Sequence, residues 1–185
     1  MEFVEVYISS VLYLRGLYPA QIFKRRKFCN LPVWCSIYPK LNDYLREIYL
    51  AIKDLKSKSQ LGQIDLLIYK GNIDNIVESH VIEIDKDFEV PEQDKYLMNI
   101  EEKFRKSLLA LEKRCKSLKP IDKDCKFKIY LQTTESSYIN LCSESKFQVA
   151  SRFLLLKMNP ITTNIFIFRT FCGFKKTTKK SLKSL

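Results

Sequence analysis

From Leu97 to Leu118 the residues Leu97, Ile100, Phe104, Leu108, Leu111, Cys115 and Leu118 step along the chain by three or four. That period lays them on one stripe of a helix about six turns long. Glu101, Glu102, Lys103, Arg105, Lys106, Lys113 and Arg114 take the wet side, and the helix must end before Pro120. Directly afterwards the period changes to two. In Cys125–Gln132, Phe127, Ile129 and Leu131 alternate with Lys126, Lys128 and Tyr130, which reads as a strand with one apolar face. A striped helix beside an alternating strand calls for an α+β domain, helices covering one face of an antiparallel sheet.

The rest of the chain extends this pattern. Val4, Ile8, Val11 and Leu12 share one face of a first helix over residues 3–15, expected to stop near Tyr18-Pro19 because a residue before proline avoids the α region. Four consecutive cations follow, Lys24, Arg25, Arg26 and Lys27. A short proline-punctuated link, Asn30-Leu31-Pro32-Val33, then leads through Tyr38-Pro39 into a second helix from about Lys40 to Leu55. Its stripe is Leu41, Tyr44, Leu45, Ile48, Ile52 and Leu55. Ile64, Leu66 and Ile68 mark a largely buried strand, Lys70-Gly71-Asn72 a turn, and Ile76–Ile84 a second strand with His80, Ile82 and Ile84 on one face. Beyond Thr133 the periodicity is poor. Asn159-Pro160 marks a break, and Ile165-Phe166-Ile167-Phe168 reads as a closing strand.

A chain of 185 residues with 46% hydrophobic content and only 4 glycines describes one packed domain, taken as residues 1–174, with 175–185 a basic, disordered tail. No stretch approaches the ~18 uncharged apolar residues of a membrane span. Glu2 and Glu5 ahead of the first apolar stretch argue against a signal peptide. The six cysteines form no C-x-x-C pair and have one histidine, His80, for company, so they read as free thiols of the nucleus or cytoplasm; a Cys29–Cys35 disulfide is disfavoured. The net charge of +11 gathers at 24–27 and in the tail lysines at 175, 176, 179, 180 and 183. Solubility explains such runs, and weak contact with nucleic acid is the sharper reading.

Catalysis lacks parts. No phosphate-binding glycine loop and no nucleophile elbow occurs, and His80 sits where a hydrogen-bonded core histidine is expected. Asp85, Asp87 and Glu89 are interrupted by Lys86 and read as a solvated acidic turn, not a metal site. No enzyme, cofactor or metal is expected.

Residues 12–45 carry a resemblance. The order Leu12, Tyr13, Arg15, Tyr18-Pro19, Ile22-Phe23, the basic run, Asn30, Pro32-Val33, Pro39, Leu41-Asn42 and Tyr44 resembles the N-terminal part of a HORMA domain, nearest to the type that serves as the non-catalytic subunit of translesion DNA polymerase ζ. The third helix and the Cys125-Lys126-Phe127 strand resemble it more loosely. The resemblance implies three helices on an antiparallel sheet and a C-terminal safety belt that pins an extended, proline-containing partner peptide against the sheet and the second helix. It implies no catalysis, a nuclear site of action, and as partners the polymerase-ζ catalytic subunit, a Y-family polymerase and proteins controlling end resection. By position Leu41 and Tyr44 match peptide-lining residues, and Arg105 a position used in HORMA self-association. Spindle-checkpoint or meiotic HORMA activity on another partner, and direct nucleic-acid binding through the basic runs, are the rival readings.

The sequence also departs from the family. Its first helix begins further upstream in relatives, so Met1 reads as an internal or misassigned start. After Lys146-Phe147 the aromatic belt motif is replaced by Gln148-Val149-Ala150, and the acidic ending by Gly173-Phe174-Lys175-Lys176. Residues 146–174 are therefore a divergent belt from which no site residue is carried over.

Overall fold

In the computed structural model, residues 2–84 and 97–133 are described, together with the backbone of 170–171. Helix α1, Glu2–Leu14, is covered almost all round: Phe3, Val4, Val6, Tyr7, Ile8, Val11 and Leu12 are buried, and so are Ser9 and Ser10. The expected single face of Val4, Ile8, Val11 and Leu12 is only part of that surface. A helix apolar around its circumference belongs at the centre of a domain, and α1 packs on both α3 (Met98–Ser117) and β2 (Leu31–Ser36). It also stops before Tyr18-Pro19. Gly16 turns left-handed at φ +66°, the Leu17 N–H donates to the Leu12 carbonyl and the Gly16 N–H to that of Tyr13, a glycine-closed helix end.

The basic run and the link after it form an antiparallel hairpin. Strand β1, Phe23–Phe28, pairs with β2 from Phe23↔Ser36 to Phe28↔Leu31. The connection is Cys29-Asn30, at φ 46° and 61°, the left-handed pair that a two-residue hairpin turn requires. Four charges in a row hide the alternation of β1, and Pro32 disguises β2. A two-stranded sheet has only edges, which is where a strand proline is tolerated. The hairpin lies over α1: Trp34 stacks on Tyr13 with ring centroids 3.9 Å apart, and Phe28 meets Phe3 and Phe104.

Helix α2, Pro39–Ser57, buries Leu41, Leu45, Ile52 and Leu55 of the expected stripe. The main sheet runs in the order β5-β3-β4-β6, all antiparallel. Its centre is β3, Leu61–Lys70, between β4 (Ile76–Glu83) and β5 (Cys125–Thr133). Ile64, Leu66 and Ile68 join Ile82, Phe127, Ile129 and Leu131 towards the helices. The short β6, Thr170–Phe171, pairs with Ser79 and His80. Leu97 and Leu118, counted in the α3 stripe, lie just beyond the helix ends, Leu97 left-handed and exposed. The closing strand expected at 165–168, the acidic turn at 85–89 and most of the belt lie outside the described residues.

Candidate functional site

Strand β5 forms one side of the sheet, and among the described residues no strand pairs with its outer edge. An edge of this kind offers a row of N–H and C=O groups to any extended chain. Lysines are a common guard against unwanted pairing there, and β5 carries Lys126 and Lys128. Against β5 lies α2, whose Tyr44 meets Phe127 edge-on at 5.9 Å; Tyr18 meets the same ring edge-on at 6.1 Å. Tyr44 is still 43% exposed, with exposed Ile37 and Tyr38 just before the helix. Burial pushes its phenol above the ordinary range, and the nearby phenols of Tyr18, Tyr69 and Tyr130 add to the push. The result is a neutral, aromatic corner beside an open strand edge. On the outer side of α2, Tyr44 also borders a shallow cleft of about 440 Å³ with Leu50, rimmed by Asp43, Arg46 and Glu47.

The two residues singled out on α2 therefore part company. Tyr44 presents accessible surface, whereas Leu41 is 3% exposed and belongs to the core, because the helix turns position 41 inward while position 44 sits at the rim of the stripe. Phe127 and Tyr18 are the members that sequence reasoning did not single out. Phe127 was legible only as one inward residue of a strand, and the signal that β5 lies at an edge was its outward lysines.

Other candidates fall elsewhere. Arg105 is half-buried and donates from Nε to the Cys29 carbonyl at 3.1 Å, tying α3 to the hairpin turn. Lys24, Arg25, Arg26 and Lys27 are all exposed along β1, in a sheet separate from that of β5. Cys29, Cys35 and Cys125 are free thiols; Cys29 sits in the turn while Cys35 pairs across from Lys24, so no disulfide joins these two. Burial pushes the thiols of Cys29, Cys35 and Cys125 up, which makes them poor nucleophiles. Among the described residues no grouping could hold a metal ion, and no helix is long and apolar enough to cross a membrane.

His80 is a core residue, 1% exposed, but neither ring nitrogen makes a hydrogen bond among the described residues, contrary to expectation. Its Nε2 lies 3.5 Å from Glu78 Oε2, within ionic reach only. Glu78 is instead gripped by Arg15, whose Nε donates to both carboxylate oxygens at 3.1 and 2.9 Å. The same guanidinium donates to the carbonyls of Cys115 and Lys119 at 3.0 and 2.6 Å, closing the C-terminal end of α3. Burial alone would raise the Glu78 carboxyl, but its contacts with His80 and Arg15 outweigh that and hold it below its ordinary value. On the opposite face of the sheet, Asp65 is equally buried and, among the described residues, accepts from neutral donors, the side-chain amides of Gln63 and Gln132. Burial pushes its carboxyl up, against the pull of those two bonds.

Residues 1–145 match the family model described as the HORMA domain. The chain belongs to the HORMA-domain family. It is 28% identical to DNA polymerase zeta subunit 2 of Drosophila melanogaster, over 80% of this chain and 75% of that protein. It is 30% identical to the mitotic spindle assembly checkpoint protein MAD2B of Bos taurus, over 82% of this chain and 71% of the relative. Among solved structures its fold resembles a chain of the mitotic checkpoint complex, with a TM-score of 0.69 at 17% identity over 83% of this chain and 81% of that one. It also resembles C. elegans HTP-2 bound to the HIM-3 closure motif, with a TM-score of 0.59 at 15% identity over 80% and 71% of the two chains. The HORMA order of helices and antiparallel sheet expected from residues 12–45 is thus the fold, with the β1–β2 hairpin added to the sequence reading.

Proposed function

We propose that this HORMA protein is a non-catalytic adaptor that captures an extended, proline-containing segment of the DNA polymerase ζ catalytic subunit along the outer edge of β5. The observation that carries this reading is the β5 edge, unpaired among the described residues, lying directly beside the exposed Tyr44 ring. An extended peptide added there pairs its backbone with β5, and its side chains reach Tyr44, Tyr18 and Tyr38. A proline suits such a segment, because it is already extended and its missing N–H can face away from the ladder. The aromatic corner provides large contact area at low conformational cost, with a phenol able to bond a peptide carbonyl. The relatives named as polymerase ζ subunits support the choice of partner, and the HTP-2 complex with a closure motif supports a short peptide as the ligand. With that partner, a nuclear location, contact with a Y-family polymerase and a part in controlling end resection follow as extensions of the same reading.

The test is fluorescence anisotropy of a labelled proline-containing peptide from the polymerase ζ catalytic subunit, titrated with this protein and with Tyr44→Ala. Tight binding that the substitution weakens at least tenfold, with the circular dichroism unchanged, supports the reading. No binding by folded protein overturns it. The MAD2B relatives favour a second reading, a checkpoint HORMA protein that holds another partner's peptide at the same edge. A checkpoint-partner peptide that displaces the polymerase peptide at lower concentration would select that alternative.

A further inference from the structure

We propose that strand β1 is a docking strip for the phosphodiester backbone of duplex DNA, through Lys24, Arg25, Arg26 and Lys27. The strip is independent of the β5 edge, since β1 belongs to the separate two-stranded sheet. All four side chains are exposed. At ~3.3–3.4 Å per strand residue their four Cα atoms span only about 10 Å. Among the described residues none of the four enters an ion pair, whereas Lys58, Lys70, Lys106 and Lys116 each sit on a carboxylate. Among the described residues the positive charge of β1 therefore sits in no ion pair where it is densest.

The strip is also rigid. Phe23 at its start is buried, Phe28 at its end packs on Phe3 and Phe104, and Arg105 holds the turn that follows. Register sends Arg25 and Lys27 to the side of Trp34 and Pro32, and Lys24 and Arg26 to the side of Cys35 and Val33. The cations therefore fan to both sides of a fixed backbone, able to straddle a phosphate strand with little further ordering.

The neighbouring groups choose among anionic partners. Single-stranded DNA is ordinarily held by rings on which bases stack. Trp34, the ring beside the strip, is already covered, by Tyr13 at 3.9 Å and by the Arg25 guanidinium 5.0 Å from its centroid. A membrane surface wants apolar side chains to insert among the cations, and both phenylalanines of β1 turn inward to the core. Contacts to phosphates alone fit a duplex, whose bases are paired and turned away.

The experiment is anisotropy of a labelled mixed-sequence duplex, titrated with the full chain at several salt concentrations. Lys24→Gln, Arg26→Gln and Lys27→Gln are combined in one variant. Each lost phosphate contact lowers the slope of log K against log salt by about 0.9, so the variant's slope should fall by about two to three, with affinity at low salt down more than tenfold. A variant with glutamine at 175, 176, 179, 180 and 183 should keep that β1-dependent difference. If the triple variant does not fold, Arg26→Gln and Lys27→Gln singly should each lower the slope by about one. An unchanged slope in folded variants overturns the proposal. So does binding of single-stranded DNA, polyglutamate or anionic vesicles at least as tightly as duplex through the same residues.

Discussion

The central strand β3 has two unlike flanks. On the β4 side the fold is closed by charge: Glu78 is held by Arg15, which also reaches two carbonyls at the end of α3, and β6 lies along the outside of β4. On the β5 side the buried contacts are neutral, and the ion pair of Lys70 with Asp122 is exposed. Asp65 is bonded to two amides, one of them on β5, the helices meet the strand through phenols and Phe127, and the outer edge is open among the described residues. Two carboxylates buried to the same degree thus shift in opposite directions, because Glu78 has the Arg15 cation and Asp65, among the described residues, has two neutral amides. The difference teaches where the fold invests its strongest interactions. The ionic lock sits where no partner is needed, and the flank proposed to receive one keeps contacts that rearrange cheaply.

The sharpest way to break this contrast is Glu78→Gln, which leaves the Arg15 cation buried without its counter-charge. Loss of one partner of a buried pair costs about 3–5 kcal/mol, read as a lowered midpoint in urea unfolding. Next comes Tyr44→Ala, which should weaken the proposed peptide by about 2 kcal/mol or more, the range of an interface anchor, while the urea midpoint moves far less than in Glu78→Gln. Comparable losses of stability in the two variants would erase the distinction between locked and open flanks.

Acid separates the carboxylates. The lowered folded value of Glu78 contributes stability that is present above the ordinary glutamate range and lost as pH falls through the folded value. The raised value of Asp65 works the other way: its contribution is full below the ordinary aspartate range and lost as pH rises through the folded value. Asp65→Asn should therefore match the parent near neutral pH or exceed it by ~1 kcal/mol, and lose that advantage in acid. Urea unfolding at several pH values reads this, and a variant destabilised at neutral pH would mean that the charged form is favoured on the β5 flank. Smallest is Lys58→Ala, which removes a pair with Asp54 whose side chains are 56% and 55% exposed. It should leave the unfolding midpoint where it was, since exposed pairs of this kind contribute little.

Periodicity made α2, α3 and the β3, β4 and β5 strands readable, because each carries its apolar residues at one spacing. It failed at β1, where Lys24–Lys27 are all outside and no alternation survives in hydropathy. It was incomplete at α1, whose stripe named Val4, Ile8, Val11 and Leu12 but could not report that Phe3, Val6 and Tyr7 would also be covered by elements far along the chain. Leu41 and Tyr44 looked alike on the α2 stripe; only the placement of β5 tells the buried one from the exposed one. The Arg15–Glu78 lock was invisible for the same reason. An arginine after a helix and a glutamate in a strand, 63 positions apart, carry no local sign that they will meet.

The all-round covering of α1 has a consequence for synthesis. Part of its cover, helix α3 at Met98–Ser117, is translated long after α1 itself. At ~5–20 residues per second, roughly 5–20 s pass between the end of α1 and the completion of α3. Throughout that interval a nascent chain carries Phe3, Val4, Val6, Tyr7, Ile8, Val11 and Leu12 on one helix without the part of their cover that α3 supplies. Production in the cell should therefore depend on a holdase that reads this helix as it emerges, and slow codons downstream of α1 should lower the soluble yield.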